Sequence, residues 1–129
     1  MVTSIYAGLL AFLIVYLALN VIKLRRAHKV RLGDGDVPEL LAAIRAHSNA
    51  VEYIPVALVL MSLLELAKIP VLILHVAGMA LLAGRLLHAK GLLADDLKFR
   101  VLGMQITIYT LIALAAVNIF YALYQQFLA

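Results

Sequence analysis

The chain has 129 residues, of which 66% are hydrophobic and only 14% charged, at a mean hydropathy of +1.06. An ordinary soluble domain is far less apolar and spreads its charge along every helix, whereas here charge gathers between apolar runs, so the chain is a membrane protein with several spans. The formal charge of +4 does not mark a nucleic-acid binder, because the basic residues sit beside spans with no aromatic interleaving. With no cysteine there is no disulfide framework, thiolate metal site or protein thiol nucleophile, so any reactive sulfur must come from a ligand.

The opening segment, MVTSIYAGLLAFLIVYLALN, has neither the basic start nor the cleavage site of a signal peptide and is expected to be a retained first span, residues 4–24. Lys23, Arg25, Arg26, Lys29 and Arg31 follow, then the flexible GDGD. Asp36 is the expected N-cap of a second helix, with Pro38 in its first turn. That helix is predicted over 38–67, and Lys68 to Pro70 make a tight connection to a third helix over 70–90, with Gly91 as its expected stop. A fourth follows over 101–124. Residues 1–129 thus form a single domain, an all-α membrane protein built as a four-transmembrane-helix bundle.

Basic residues orient the bundle. Five lie in the first connection, and Lys90, Lys98, Arg100 and Arg85 lie in or near the third, whereas the second has only Lys68 and both tails have none. The first and third connections are expected to face the cytoplasm, with both termini outside.

The wholly apolar part of the second helix, Ile54 to Leu64, spans only ~17 Å against a hydrocarbon core of ~30 Å. The preceding RAHSNAVEY must therefore reach the membrane boundary and carry Arg45, Asn49 and Glu52 with it. Unpaired ionised groups there cost on the order of 2.5 kcal/mol or more, so these side chains are expected to face protein. They stand at i, i+4 and i+7 on one stripe, with Tyr53 beside it and His47 on the opposite side. Spacing alone allows two readings: an Arg45–Glu52 pair joined through Asn49 that locks helices together, or a ligand site.

In AGRLLHAKGL, Arg85 and His88 lie at i and i+3, and Arg100 begins the fourth helix. Three arginines from three helices would then converge near one level, and such an excess of fixed positive charge calls for an anion. Lys90 and Lys98 read as snorkelling residues. His88 is a candidate base, although a lone histidine is more often a hydrogen-bonded structural residue. His28, His47 and His75 have no metal-ligand spacing, and no metal site is expected. Glu65 is expected at the opposite interface, pairing with Lys68. Thr107, Thr110 and Asn118 read as helix-contact residues, and Gly78, Gly84 and Gly103 as sites of close helix approach.

IRAHSNAVEYIPVALVLM closely resembles the second-helix signature of the MAPEG family, the membrane-associated proteins in eicosanoid and glutathione metabolism. LLAGRLLHAKGL followed by FRVLGMQIT resembles that family's third-helix end and fourth-helix start. The similarity covers nearly the whole chain and looks closest to the bacterial branch.

The resemblance implies a homotrimer in the bacterial inner membrane, with glutathione bound between subunits at the cytoplasmic end. It implies that Arg45, Asn49, Glu52 and Tyr53 hold the tripeptide and that Arg85 and His88 line the same pocket. Arg100 matches the arginine that stabilises the glutathione thiolate, one residue away from a gapless match. The implied activity is glutathione transfer or peroxidase chemistry on a lipophilic small-molecule substrate reached from membrane lipid. The residues suit glutathione, since arginines meet its carboxylates, Glu52 its amine, and Asn49 either a donor or an acceptor. A guanidinium close to a thiol also raises its thiolate fraction.

Two departures narrow the implied chemistry. The eicosanoid synthases of the family carry a phenol one turn after the His88 position, where this chain has Leu92. The serine that follows the catalytic arginine in the prostaglandin-forming member is Val101 here, which argues against prostaglandin isomerase activity. Two other classes compete: a non-catalytic trimeric scaffold, and a small multidrug-type transporter, which would need the acidic residue that the first span lacks.

Overall fold

In the computed structural model, which describes residues 1–128, the chain forms four helices: α1 (Val2–His28), α2 (Pro38–Leu66), α3 (Val71–Leu93) and α4 (Leu97–Phe127). All four are long and apolar enough to cross a membrane. The short connections make consecutive helices antiparallel. One end of the bundle, the basic end, carries the 29–37 and 94–96 connections. The other, the terminal end, carries the 67–70 turn and both chain termini.

The helices run past the predicted spans where charged residues still form intrahelical hydrogen bonds. α1 continues through Arg25 and Arg26 to His28, and α4 begins at Leu97, so that Lys98 and Arg100 stand in its first turn rather than in a loop. Gly91 does not stop α3, which continues to Leu93. The N-cap of α2 is Val37, not Asp36. Asp36 has a φ of 58° and gives its N–H to the Asp34 carboxylate at 3.0 Å, so the aspartates build the turn and Pro38 opens the helix. Arg25 Nη1 donates to the Gly33 carbonyl at 2.7 Å, folding this basic connection back against α1. Asp96 caps α4, accepting from Phe99 N–H at 3.3 Å.

α3 and α4 pack together most extensively. α1 touches α2 and α3, α4 touches the same two, and α1 and α4 make no contact among the described residues. α2 and α3 therefore form the centre, with α1 and α4 on opposite flanks. The core runs along the α1–α2–α3 seam through Leu10, Leu17, Ala50, Ile54, Met61, Leu74 and Leu81.

Two glycines set the α3–α4 distance at the basic end. A Cβ on Gly103 would collide with the backbone of His88 and the Gly84 carbonyl, and one on Gly91 with the backbone of Arg100. Here the helices touch backbone to backbone, which places His88 beside the start of α4. Gly78 is covered by the Tyr6 ring instead.

At the terminal end, Tyr6 OH bonds His75 Nδ1 at 2.9 Å, Asn118 Nδ2 donates to the Leu60 carbonyl at 3.1 Å, and Tyr121 OH donates to the Ala67 carbonyl at 2.9 Å. Glu65 does not pair with Lys68. Its carboxylate accepts the N–H groups of Val2 and Thr3, where the positive end of the α1 dipole and unpaired backbone donors favour an anion.

Candidate functional site

Arg85 is the centre of the polar constellation at the basic end, and it is 1% exposed. It lies on the face of α3 that meets both α2 and α4. Its Nη2 donates to Asn49 Oδ1 on α2 and meets His88 Nδ1, one turn along α3, at 3.0 Å. Its Nη1 reaches Thr107 Oγ1 on α4 at 3.5 Å, the outer limit of a hydrogen bond. The Thr107 hydroxyl gives its own hydrogen to the Gly103 carbonyl at 2.8 Å and so turns a lone pair toward the guanidinium. The guanidinium carbon lies 5.6 Å from the centre of the Tyr53 ring, within cation–π range. One buried cation thus ties three helices together through polar side chains.

His88, 3% exposed, and Asn49 are also walls of an open groove of about 560 Å³ that runs along α4. Arg100, exposed in the first turn of α4, completes its polar end. Leu97, Val101, Met104, Gln105, Ile108 and Tyr109 line the rest. Tyr109 also borders an apolar groove of about 480 Å³ between α3 and α4, lined by Val76, Ala80 and Ala113 among others. On its other side Arg100 shares a recess of about 340 Å³ with Arg45, Asp95 and Asp96. Arg100 therefore stands between two openings.

Of the predicted site residues, Asn49, Tyr53, Arg85 and His88 come together in direct contact, with Arg100 beside them on the groove. Arg45 and Glu52 do not join them. Both are exposed, and neither hydrogen-bonds to the other or to Asn49, so the first of the two readings that spacing allowed, an internal pair through Asn49, does not form. A helical wheel at about 100° per residue gives the reason. Asn49 is turned roughly 60° from Glu52 toward the buried arc of Ala46, Ala50, Ile54 and Ala57, whereas Arg45 and Glu52 stay outside it.

Sequence reasoning placed Thr107 among helix contacts but not as a partner of Arg85, and it missed Met104, Gln105, Ile108 and Tyr109. The last group had a readable signal. Leu97, Arg100, Val101, Met104, Gln105 and Ile108 recur at helical spacing on one face of α4.

With this arrangement of helices and polar residues, the chain belongs to the MAPEG family, whose model matches residues 3–120. It is 40% identical over 121 residues to inner membrane protein YecN of Escherichia coli strain K12, covering 94% of this chain and 92% of that protein. The protein of the same name from Escherichia coli O6:H1 matches to the same extent.

Proposed function

We propose that the protein binds glutathione at the basic end and uses it to conjugate lipophilic electrophiles or to reduce lipid hydroperoxides. The observation that carries this reading is the groove on which Asn49, His88 and Arg100 meet and from which an apolar surface extends along α4. Glutathione would supply the thiol that the cysteine-free chain lacks.

Each residue then has a task set by its chemistry. Arg100, exposed on the groove and without a side-chain hydrogen bond among the described residues, stabilises the thiolate. Arg45, on the far side of Arg100, takes a carboxylate of the tripeptide, and Glu52 takes its amine. Tyr53 and Arg85 support the wall behind Asn49 and His88. The apolar groove past Tyr109 receives the second substrate from the bilayer.

The proposal includes a homotrimer. Glu52 lies midway along α2 and is exposed, as are Val51, Val56, Val59 and Leu63 of the same helix. A carboxylate at that depth facing lipid would be costly, so this face of α2 suits a neighbouring subunit that completes the site with it. The positive-inside pattern supports a basic end in the cytoplasm with both termini outside. The YecN relatives support a bacterial inner membrane as the location.

A structural reading has one specific observation in its favour: the Arg85 cluster alone joins α2, α3 and α4. That explains Arg85 and Thr107, but it leaves Arg45, Glu52 and Arg100 without a role. The test is ultraviolet difference absorbance of glutathione added to the purified protein in detergent, followed by product detection with a reactive aryl halide and a fatty-acid hydroperoxide. Thiolate absorbance that saturates, and disappears in Arg100→Ala, is the expected result. A folded protein that gives neither thiolate absorbance nor product would overturn the reading.

A further inference from the structure

We propose that Arg85 is a positioning residue that fixes the hydrogens of Asn49 and His88, so that the polar end of the groove presents donors and selects an anionic group. A guanidinium carries five N–H donors and no acceptor. Whatever touches it at hydrogen-bond distance must therefore accept. At Asn49 the accepting atom is the side-chain carbonyl, since a flipped amide would set NH₂ against the guanidinium. At His88 it is the Nδ1 lone pair, which leaves a neutral ring with its hydrogen on Nε2.

The Asn49 carbonyl oxygen and the only lone pair of the His88 ring thus turn inward to Arg85. The hydrogens left for the groove are those of the Asn49 NH₂ and the His88 Nε2–H. Among the described residues the only buried side-chain nitrogens or oxygens without a partner are Thr3 Oγ1 and Arg85 Nε. His88 Nε2 makes no protein hydrogen bond and is not one of these buried orphans, so it opens onto the groove that its ring lines. With the Arg100 guanidinium, the three side chains at the polar end all offer hydrogens.

The donors of Asn49, His88 and Arg100 take a carboxylate or a thiolate and disfavour an ammonium group at this end, whereas Gln105 and Tyr109, farther along the groove, can also accept. The same placement of hydrogens removes His88 as a base toward the groove, because its one lone pair is already engaged with Arg85. If glutathione is the ligand, its thiol proton leaves to water, and the wall acts by stabilising the sulfur anion that remains. The identity of the ligand rests on the proposed function. The placement of the hydrogens does not.

The test is long-range proton–nitrogen NMR on protein labelled with ¹⁵N-histidine, in detergent at neutral pH, with His88→Gln used to assign the ring among the four histidines. The expected result is a single neutral Nε2–H tautomer in the wild-type protein, released into a mixture of tautomers in Arg85→Met. A His88 ring that is doubly protonated or protonated at Nδ1 in the wild-type protein would overturn the proposal, and that measurement needs no variant of Arg85 to fold. An unchanged tautomer in folded Arg85→Met would overturn the role of Arg85. Added glutathione separates the two claims. The Nε2–H tautomer with no response to glutathione supports the hydrogen placement and counts against the proposed function.

Discussion

Tyr6 with His75 at the terminal end and Arg85 with Asn49 at the basic end are both polar pairs that join two helices across the bundle, yet they leave different remainders. The Tyr6 hydroxyl is spent on His75, Asn118 and Tyr121 close on backbone carbonyls, and Glu65 closes on the start of α1. At the basic end, Asn49 and His88 each give Arg85 one acceptor and keep another atom facing a groove, where Arg100 makes no side-chain hydrogen bond among the described residues. The first arrangement directs its hydrogen bonds between helices and leaves Thr3 Oγ1 buried without a partner, whereas the second leaves Asn49 and His88 lining a groove. Polar residues in membrane helices serve both ends, and what distinguishes them here is where the remaining capacity faces.

Substitutions sharpen that contrast. The largest effect is expected at Arg100, where Arg100→Ala should lower glutathione-dependent turnover about 100-fold, the scale of removing one anion-stabilising donor. Its melting temperature in detergent should stay at the wild-type value, because the side chain is exposed and only its Cβ, which alanine keeps, lies against Gly91. A collapsed fold instead would move Arg100 into the same class as Tyr6. Next comes Gly103→Ala, in which the new methyl meets the backbone of His88 and Gly84 rather than a movable side-chain tip. Chemical denaturation should register a loss of about 1–3 kcal/mol together with weaker glutathione binding, since α3 and α4 must separate at the site.

The terminal end should respond in stability alone. His75→Phe keeps the ring against Tyr6 and the residue-75 carbonyl at 3.3 Å but removes the imidazole partner, and a loss of up to about 1 kcal/mol in unfolding free energy is expected with ligand affinity unchanged. Smallest is Glu65→Gln, which retains an acceptor for Val2 and Thr3 but removes the charge at the start of α1. Its cost should be the smallest of these, visible only as a slight drop in melting temperature. Reduced glutathione affinity in either terminal-end variant would erase the distinction between the two ends.

The four helices were legible because ~20-residue apolar runs have few alternatives in a membrane. Their ends were not, since residues such as Arg25 and Lys98 are polar enough to look like loop and still continue a helix. Arg45, Arg85 and Arg100 could be read as converging near one level, and the family resemblance added Asn49 and His88 to one pocket, but the mutual contact of Asn49, Arg85 and His88 could not be read. It depends on how α2 is turned about its axis, which also left Arg45 and Glu52 exposed. Glu65 was misread for a related reason. Its sequence neighbour Lys68 is less than one turn away, whereas the partner it finds, the start of α1, lies 62 residues distant. Gly103 and Gly84 were recognisable as close-approach sites because small residues have that use in membrane helices, and their contact fixes the wall of the groove.

The most direct measurement is isothermal titration of glutathione into the detergent-purified protein, with Asn49→Asp and His75→Phe run beside it. Asn49→Asp replaces a donor on the groove with an acceptor while keeping an oxygen for Arg85. Saturable binding is expected in the wild-type protein and in His75→Phe, with affinity at least tenfold weaker in Asn49→Asp. Absence of binding to the folded wild-type protein, or equal weakening in both variants, would contradict a glutathione site at the basic end.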